Sequence, residues 1–155
     1  MKSKKIILPI LVFLCMLTIF FFSNQNAKRS QSLSDEVAVK TLEIKSEVTK
    51  KEITKTEKDN FIKSSRTFIR KGAHFSIYFL LGILVYLTFK TYNIKHAILF
   101  SIFFCFFYAC TDEVHQLFIE MRTAQILDAF IDTSGACVGI GLVYLLTRKS
   151  LNEKN

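Results

Sequence analysis

One proline and five glycines in 155 residues leave little material for linkers, so the chain reads as a single domain. Cysteine is scarce and badly placed for cross-linking. Cys15, Cys105, Cys110 and Cys137 all lie inside apolar runs, which excludes a disulfide-stapled secreted module. Cys105 and Cys110 miss the CxxC spacing, which argues against a zinc knuckle. The sequence carries no phosphate loop, no nucleophile elbow, no HExxH, no internal repeat and no low-complexity tract. Charge is thin as well, at 22% of residues, against 50% hydrophobic and a mean hydropathy of +0.30. The apolar residues gather into runs too long for the amphipathic faces of a soluble domain. A soluble globule is therefore excluded, and a small polytopic membrane domain is left.

The first run, residues 6–22, has no charge and sits at the short end of what a spanning helix needs. Lys2, Lys4 and Lys5 precede it, as they would a signal peptide. Its exit, however, reads Ser23-Asn24-Gln25-Asn26-Ala27, with Gln25 where a cleavage site needs a small side chain. Val12-Phe13-Leu14 before Cys15 is too bulky for a lipoprotein signal. An uncleaved signal anchor is expected. A second run lies between Lys71 and Lys90, a third covers residues 97–111 and a fourth 133–147. Fifteen helical residues rise only about 22 Å, short of a hydrocarbon core of roughly 30 Å. The last two helices must therefore draw polar ends toward the membrane or thin the bilayer around them. The expected fold is all-α and polytopic, with four transmembrane helices near residues 6–22, 72–90, 96–112 and 128–147. Residues 23–71 form an extracytoplasmic loop that carries amphipathic helices.

Orientation follows from charge, against some opposition. With both termini in the cytoplasm of a multi-pass protein, Lys2, Lys4, Lys5, Lys90, Lys95, Arg148, Lys149 and Lys154 fall inside. Lys63, Arg66, Arg70 and Lys71, which flank the second span, locally oppose that rule. The connection between the third and fourth spans carries Asp112, Glu113 and Glu120 against Arg122, which favours the outside. In the loop, Leu33, Val37, Ile44 and Val48 fall within about 60° on a helical wheel, and Ser32 with Asp35 can cap the start. An interfacial helix and a solvated mixed-charge helix both remain open there. Phe61, Ile62, Ser65, Phe68, Ile69 and Gly72 share a second face opposite Lys63, Arg66 and Arg70, the pattern of a helix lying in the headgroup layer.

The order of spans brings three polar clusters to one face of the membrane, whichever way the protein is oriented. They are Arg70-Lys71-Gly72-Ala73-His74 with Tyr78, then Asp112-Glu113-Val114-His115-Gln116, then Arg122 with Asp128 and Asp132. Ionisable groups at membrane depth are costly unless paired, and mark a functional site by default. Asp128 and Asp132, four residues apart, share a helical face and repel unless a cation or a proton intervenes. Arg70, Lys71 and Arg122 are the available cations. Taken singly, each of these residues is more often an interfacial anchor or an interhelical salt bridge than a catalyst. Gly135-x-x-x-Gly139, with Ser134, Ala136 and Gly141, reads as a helix-packing surface. Phe100, Phe103, Phe104, Phe106 and Phe107 cover several faces of the third span and mostly meet lipid. His96, in the opposite loop, reads as inert. Glu113 and His115, with His74 and Asp128, offer a lesser reading in metal ligation or acid–base chemistry. No cofactor and no resident metal are expected.

In order and spacing these residues resemble the VanZ-like membrane proteins of bacteria, named for glycopeptide-resistance clusters associated with teicoplanin. The resemblance rests on Phe21-Phe22-Ser23-Asn24-Gln25, Arg70-Lys71-Gly72-Ala73-His74-Phe75 with Tyr78, Leu81 and Gly82, and Asp112-Glu113-Val114-His115-Gln116-Leu117-Phe118. It continues through Arg122, Asp128, Asp132-Thr133-Ser134-Gly135-Ala136 and Gly139, and covers the chain apart from residues 27–60. The family's usual Pro-Gly turn before the arginine is replaced here by Glu120-Met121, followed by Thr123-Ala124. The resemblance implies a small integral membrane protein of the cell envelope, in some members linked to teicoplanin resistance. Two classes of function stay open. One is a non-enzymatic protein whose charged cluster binds an amphiphile, such as a lipoglycopeptide or an anionic lipid headgroup. The other is an enzyme acting on a lipid-linked precursor, with Glu113, His115 and Asp128 as acid–base residues. The +8 formal charge suits anionic membrane lipids, and its division between both faces argues against nucleic acid as a partner.

Overall fold

Backbone groups in hydrocarbon have no water to bond, so each apolar run closes its hydrogen bonds as a helix. The computed structural model describes residues 2–24, 27–50, 54–119 and 125–152, with the side chains of 3–24, 30–50, 54–119 and 125–148. Among the described residues there are five helices and no strand: α1 (Lys2–Ser23), α2 (Ala27–Thr49), α3 (Lys55–Thr91), α4 (Ala97–Gln116) and α5 (Ile126–Asn152). Four of them, α1, α3, α4 and α5, are long and apolar enough to cross a membrane. The chain is an all-helical, multi-pass membrane protein, as the runs imply.

The stretch around residues 61–72 differs from its expected form. It is not a separate helix in the headgroup layer but the first half of α3, which runs unbroken for 37 residues. At 1.5 Å per residue α3 is about 55 Å long, so roughly 25 Å of it stands clear of a hydrocarbon core of about 30 Å. Its start is fixed by a capping box: the Thr54 hydroxyl accepts from the Glu57 amide, and the Glu57 carboxylate accepts from the Thr54 amide. Helix α2 lies back along this projecting half and removes the need for lipid to cover it. The two are clamped where Arg66 donates through Nε and Nη2 to both oxygens of Asp35, at 2.5 and 2.7 Å. Asp35 is therefore an ion-pair partner in mid-helix and not part of a cap with Ser32, because α2 starts five residues earlier than Ser32. The buried face of α2 is Ser34, Ala38 and Leu42, whereas Leu33, Val37, Ile44 and Val48 remain exposed. A stripe with the right spacing is thus not the face that α2 buries.

Helix α3 touches all four of the others. Its closest approach is to α5, where small residues let the backbones meet. A Cβ on Gly82 would collide with the Ala136 backbone, and one on Gly135 or Gly139 would collide with the carbonyl oxygen of Phe75 or Phe79. Gly141, by contrast, faces open space. Tyrosines bind α1 to its neighbours. Pro9 supplies no N–H to the Lys5 carbonyl four residues before it, and the Tyr92 hydroxyl donates to that oxygen instead, at 2.8 Å. Tyr108 likewise donates to the Met16 carbonyl at 2.6 Å. Cys15, Ile19, Tyr78, Leu81, Val85, Cys105, Ala109, Ala129 and Ala136 make the core where the spans meet. Phe100, Phe103 and Phe107 point outward, while Phe104 sets its edge against Phe89 and Phe106 leans on Phe130.

Candidate functional site

Helical periodicity decides which members of each polar cluster look inward. On α3, Arg70, Lys71, His74 and Tyr78 share a face. On α4, Asp112, Glu113 and Gln116 are buried, and on α5 Asp128 and Asp132 lie one turn apart. These three faces meet at one end of the bundle, in two layers.

The outer layer is paired. The Lys71 ammonium lies 2.6 Å from Asp128 Oδ1, and the Arg70 guanidinium approaches Asp128 Oδ2 more loosely, at 3.9 Å. Glu113 accepts from the Gln125 amide at 2.9 Å, which ties the end of α4 to the start of α5. Arg70, Lys71, His74, Glu113, Gln116 and Asp128 line a hollow of only about 10 Å³, room for one water molecule at most.

Among the described residues, the inner layer sets two carboxylates against one imidazole. Asp112 and Asp132 are almost wholly buried. The Ser23 hydroxyl, at the last turn of α1, donates to Asp112 Oδ2 at 2.7 Å, and the Gln116 side-chain amide donates to the same oxygen at 3.1 Å. His74 Nδ1 lies 3.4 Å from Asp132 Oδ2. Beside them the Tyr78 side chain is fully buried, within electrostatic reach of both carboxylates. Its hydroxyl has no hydrogen-bond partner among the described residues.

Ser23 escapes a reading by residue type, since a serine closing an apolar helix looks like any interfacial serine. Its place in the Phe-Phe-Ser-Asn-Gln string is the only hint. His115 goes the other way. One position from Gln116, it is rotated off the shared face, stacks on Phe20 with ring centroids 4.7 Å apart, and does not line the hollow. Arg122 and the departures around it, Glu120-Met121 and Thr123-Ala124, lie outside the described residues.

On the far side of Arg70 lies a larger space. A cavity of about 230 Å³ opens between α1, α2 and α3, walled by Ile19, Phe22, Leu33, Val37, Ile69, Ala73 and Ile77 and edged by Ser30, Ser34, Arg70 and His74. A polar hollow of about 70 Å³ adjoins it, formed by Ser30, Gln31, Ser34, Arg66, Thr67 and Arg70. Ser30, Ser34 and Arg70 belong to both. An apolar chamber thus opens onto two guanidinium groups and three hydroxyls.

A family model described as VanZ/LLP1 matches residues 8–147 of the chain. No curated protein and no solved structure matches it.

Proposed function

The chain belongs to the VanZ/LLP1 family, and from that premise we propose that it is a non-enzymatic envelope protein that binds an anionic amphiphile at the outer face of the cell membrane. The observation that carries the reading is the shared wall of the apolar cavity and the polar hollow. The tail enters between Ile19, Phe22, Leu33, Val37, Ile69 and Ile77. The headgroup meets Arg66 and Arg70, whose planar donors suit phosphate or carboxylate. Arg66 is held in place by Asp35, and Arg70 is only loosely engaged by Asp128, so its donors remain available to a ligand. Both termini then lie in the cytoplasm, and the α2–α3 hairpin projects outside.

The alternative, acid–base catalysis by Glu113, His115 and Asp128 on a lipid-linked precursor, draws less support from the geometry. His115 stands apart from the other two, Asp128 is tied up with Lys71, and the hollow that Glu113 and Asp128 share has no room for a substrate.

The test is to identify the lipids that co-purify with the protein from native membranes. Wild type should retain an anionic lipid that Arg70→Ala and the cavity-filling Ala73→Phe both lose, with helicity unchanged. Equal retention by all three proteins refutes the reading. If the amphiphile is a lipoglycopeptide, overproduction in a susceptible Gram-positive host raises tolerance to teicoplanin more than to vancomycin, because a lipid tail concentrates the drug at the membrane. Equal tolerance to the two drugs removes the lipoglycopeptide from the proposal.

A further inference from the structure

We propose that His74, Asp112 and Asp132 form a binding site for a divalent transition-metal cation, buried where α3, α4 and α5 meet, with His74 also edging the cavity between α1, α2 and α3. One ligand atom from each of the three residues lies within 4.8 Å of the others. The set is one imidazole and two carboxylates on three different helices, not a run of surface acids. An imidazole in the set favours Zn²⁺ or Fe²⁺ over Ca²⁺ and Mg²⁺, which take oxygen ligands.

Three observations support a cation here. The first is charge. Asp112 is 4% exposed and Asp132 1% exposed, whereas Lys71 and Arg70 are directed at Asp128 in the layer above. Among the described residues, two buried carboxylates against one imidazole leave a negative excess at the membrane edge, and a divalent cation with a neutral imidazole cancels it. The second is spacing. His74 Nδ1 and Asp132 Oδ2 are 3.4 Å apart, longer than a charge-assisted hydrogen bond. That separation matches the roughly 3.3–3.4 Å between two ligands of a tetrahedral ion with bonds of about 2.0–2.1 Å. The third is independent of the triad. The Tyr78 hydroxyl is fully buried, has no hydrogen-bond partner among the described residues, and stands in the field of the same two carboxylates. An ion or its bound water satisfies it. Ser23 and Gln116, both donating to Asp112 Oδ2, provide the surrounding hydrogen bonds that orient a ligating carboxylate.

The test uses the full-length protein in detergent, stripped with a chelator and titrated with Zn²⁺, then with Co²⁺ as a spectroscopic probe. Wild type should bind one equivalent saturably, and the Co²⁺ form should show a visible d–d band. His74→Gln, Asp112→Asn and Asp132→Asn should each weaken binding about tenfold or more. Glu36→Gln and Glu47→Gln, exposed carboxylates on α2, should leave it unchanged. A buried aspartate can be needed for folding, so the wild-type titration decides on its own. Absence of saturable binding by folded wild-type protein overturns the proposal and leaves a proton shared by the carboxylates. Binding that survives the triad substitutions, or that falls equally in the α2 variants, overturns it too. Arg70→Ala separates this site from the amphiphile proposal, since it should lose lipid and keep Zn²⁺.

Discussion

The contact between α3 and α5 can be measured by adding one methyl group at a time. Both the Lys71–Asp128 and the His74–Asp132 pairs cross this interface, so its spacing sets the geometry of the site. At Gly139 an added Cβ would lie 3.1 Å from the Phe79 carbonyl carbon and 3.2 Å from Ile83 Cγ1, and closer still to the Phe79 carbonyl oxygen. Backbone cannot step aside as a side-chain tip can, so the helices must separate. Overpacking of this kind costs about 1–3 kcal/mol. Replacing glycine inside a helix returns roughly 0.5–1 kcal/mol through backbone entropy. Gly139→Ala should therefore destabilise by up to about 2 kcal/mol, the overpacking cost less the entropy gain. Gly141→Ala, on the same helix with nothing within 4 Å of the new methyl, keeps only the favourable part. The pair controls for propensity, and the difference between them, about 1–3 kcal/mol, is the contact itself. Helicity followed by circular dichroism during titration of dodecylmaltoside micelles with sodium dodecyl sulfate reads it. Coincident midpoints for Gly139→Ala and Gly141→Ala would show that α3 and α5 do not touch at Gly139, and the site geometry would fall with the interface.

Tyr92→Phe should cost about 1 kcal/mol by leaving the Lys5 carbonyl unpartnered. The same substitution should be nearly silent beside Pro9→Ala, which restores an amide for that carbonyl, and an undiminished cost in the double variant refutes the compensation. Thr54→Ala removes the capping box and should cost about 1 kcal/mol, read as faster proteolysis near the start of α3, with unchanged cleavage counting against it. Ser23→Ala takes a hydroxyl from buried Asp112 and should cost about 1.5–3 kcal/mol in the same micelle titration, and a neutral result would mean that Asp112 is held elsewhere. A cysteine at Val48, 79% exposed on α2, in a background with the four native cysteines replaced by alanine, should react with an impermeant maleimide on whole cells. Labelling only after lysis reverses the proposed orientation.

The sequence discloses most where physics allows one answer. An uncharged run in a bilayer has no structure open to it but a helix, so the four spans are legible, and their order alone puts Lys71, Glu113 and Asp128 at one face. What it hides has two causes. Polar helices have no such compulsion: the first half of α3 supports a headgroup-layer helix as well as a projecting one, and only the cover supplied by Ser34, Ala38 and Leu42 of α2 decides between them. Rotation about a helix axis is the other. At about 100° per residue, His115 and Gln116 look in different directions, and a cluster read as a string cannot say which enters the site. For the same reason Leu33 and Val37, which the wheel groups with Ile44 and Val48 on one amphipathic face, become part of the wall of the cavity between α1, α2 and α3.

Asp128 and Asp132 show how the two layers differ. One helical turn apart on a single face, they would repel if both faced the same surroundings. The fold gives them different ones. Asp128 sits in the outer layer with Lys71 at 2.6 Å and with its side chain 17% exposed, so water and an ammonium share the work of stabilising it. Asp132, one turn deeper and with its side chain 2% exposed, has among the described residues an imidazole at 3.4 Å and no lysine or arginine. The outer carboxylate is therefore replaceable by any arrangement that keeps an ion pair between these two positions. The swap Lys71→Asp with Asp128→Lys should recover most of the stability lost by either single change, because pairing energy is restored. No exchange of that kind serves Asp132, because no lysine or arginine is paired with it among the described residues, and its charge is met by a protonated His74, by a proton of its own or by an ion. Asp132→Asn is thus the informative change at depth. It should stabilise the protein if the carboxylate is merely tolerated, and destabilise it in a Zn²⁺-dependent way if the carboxylate is a ligand.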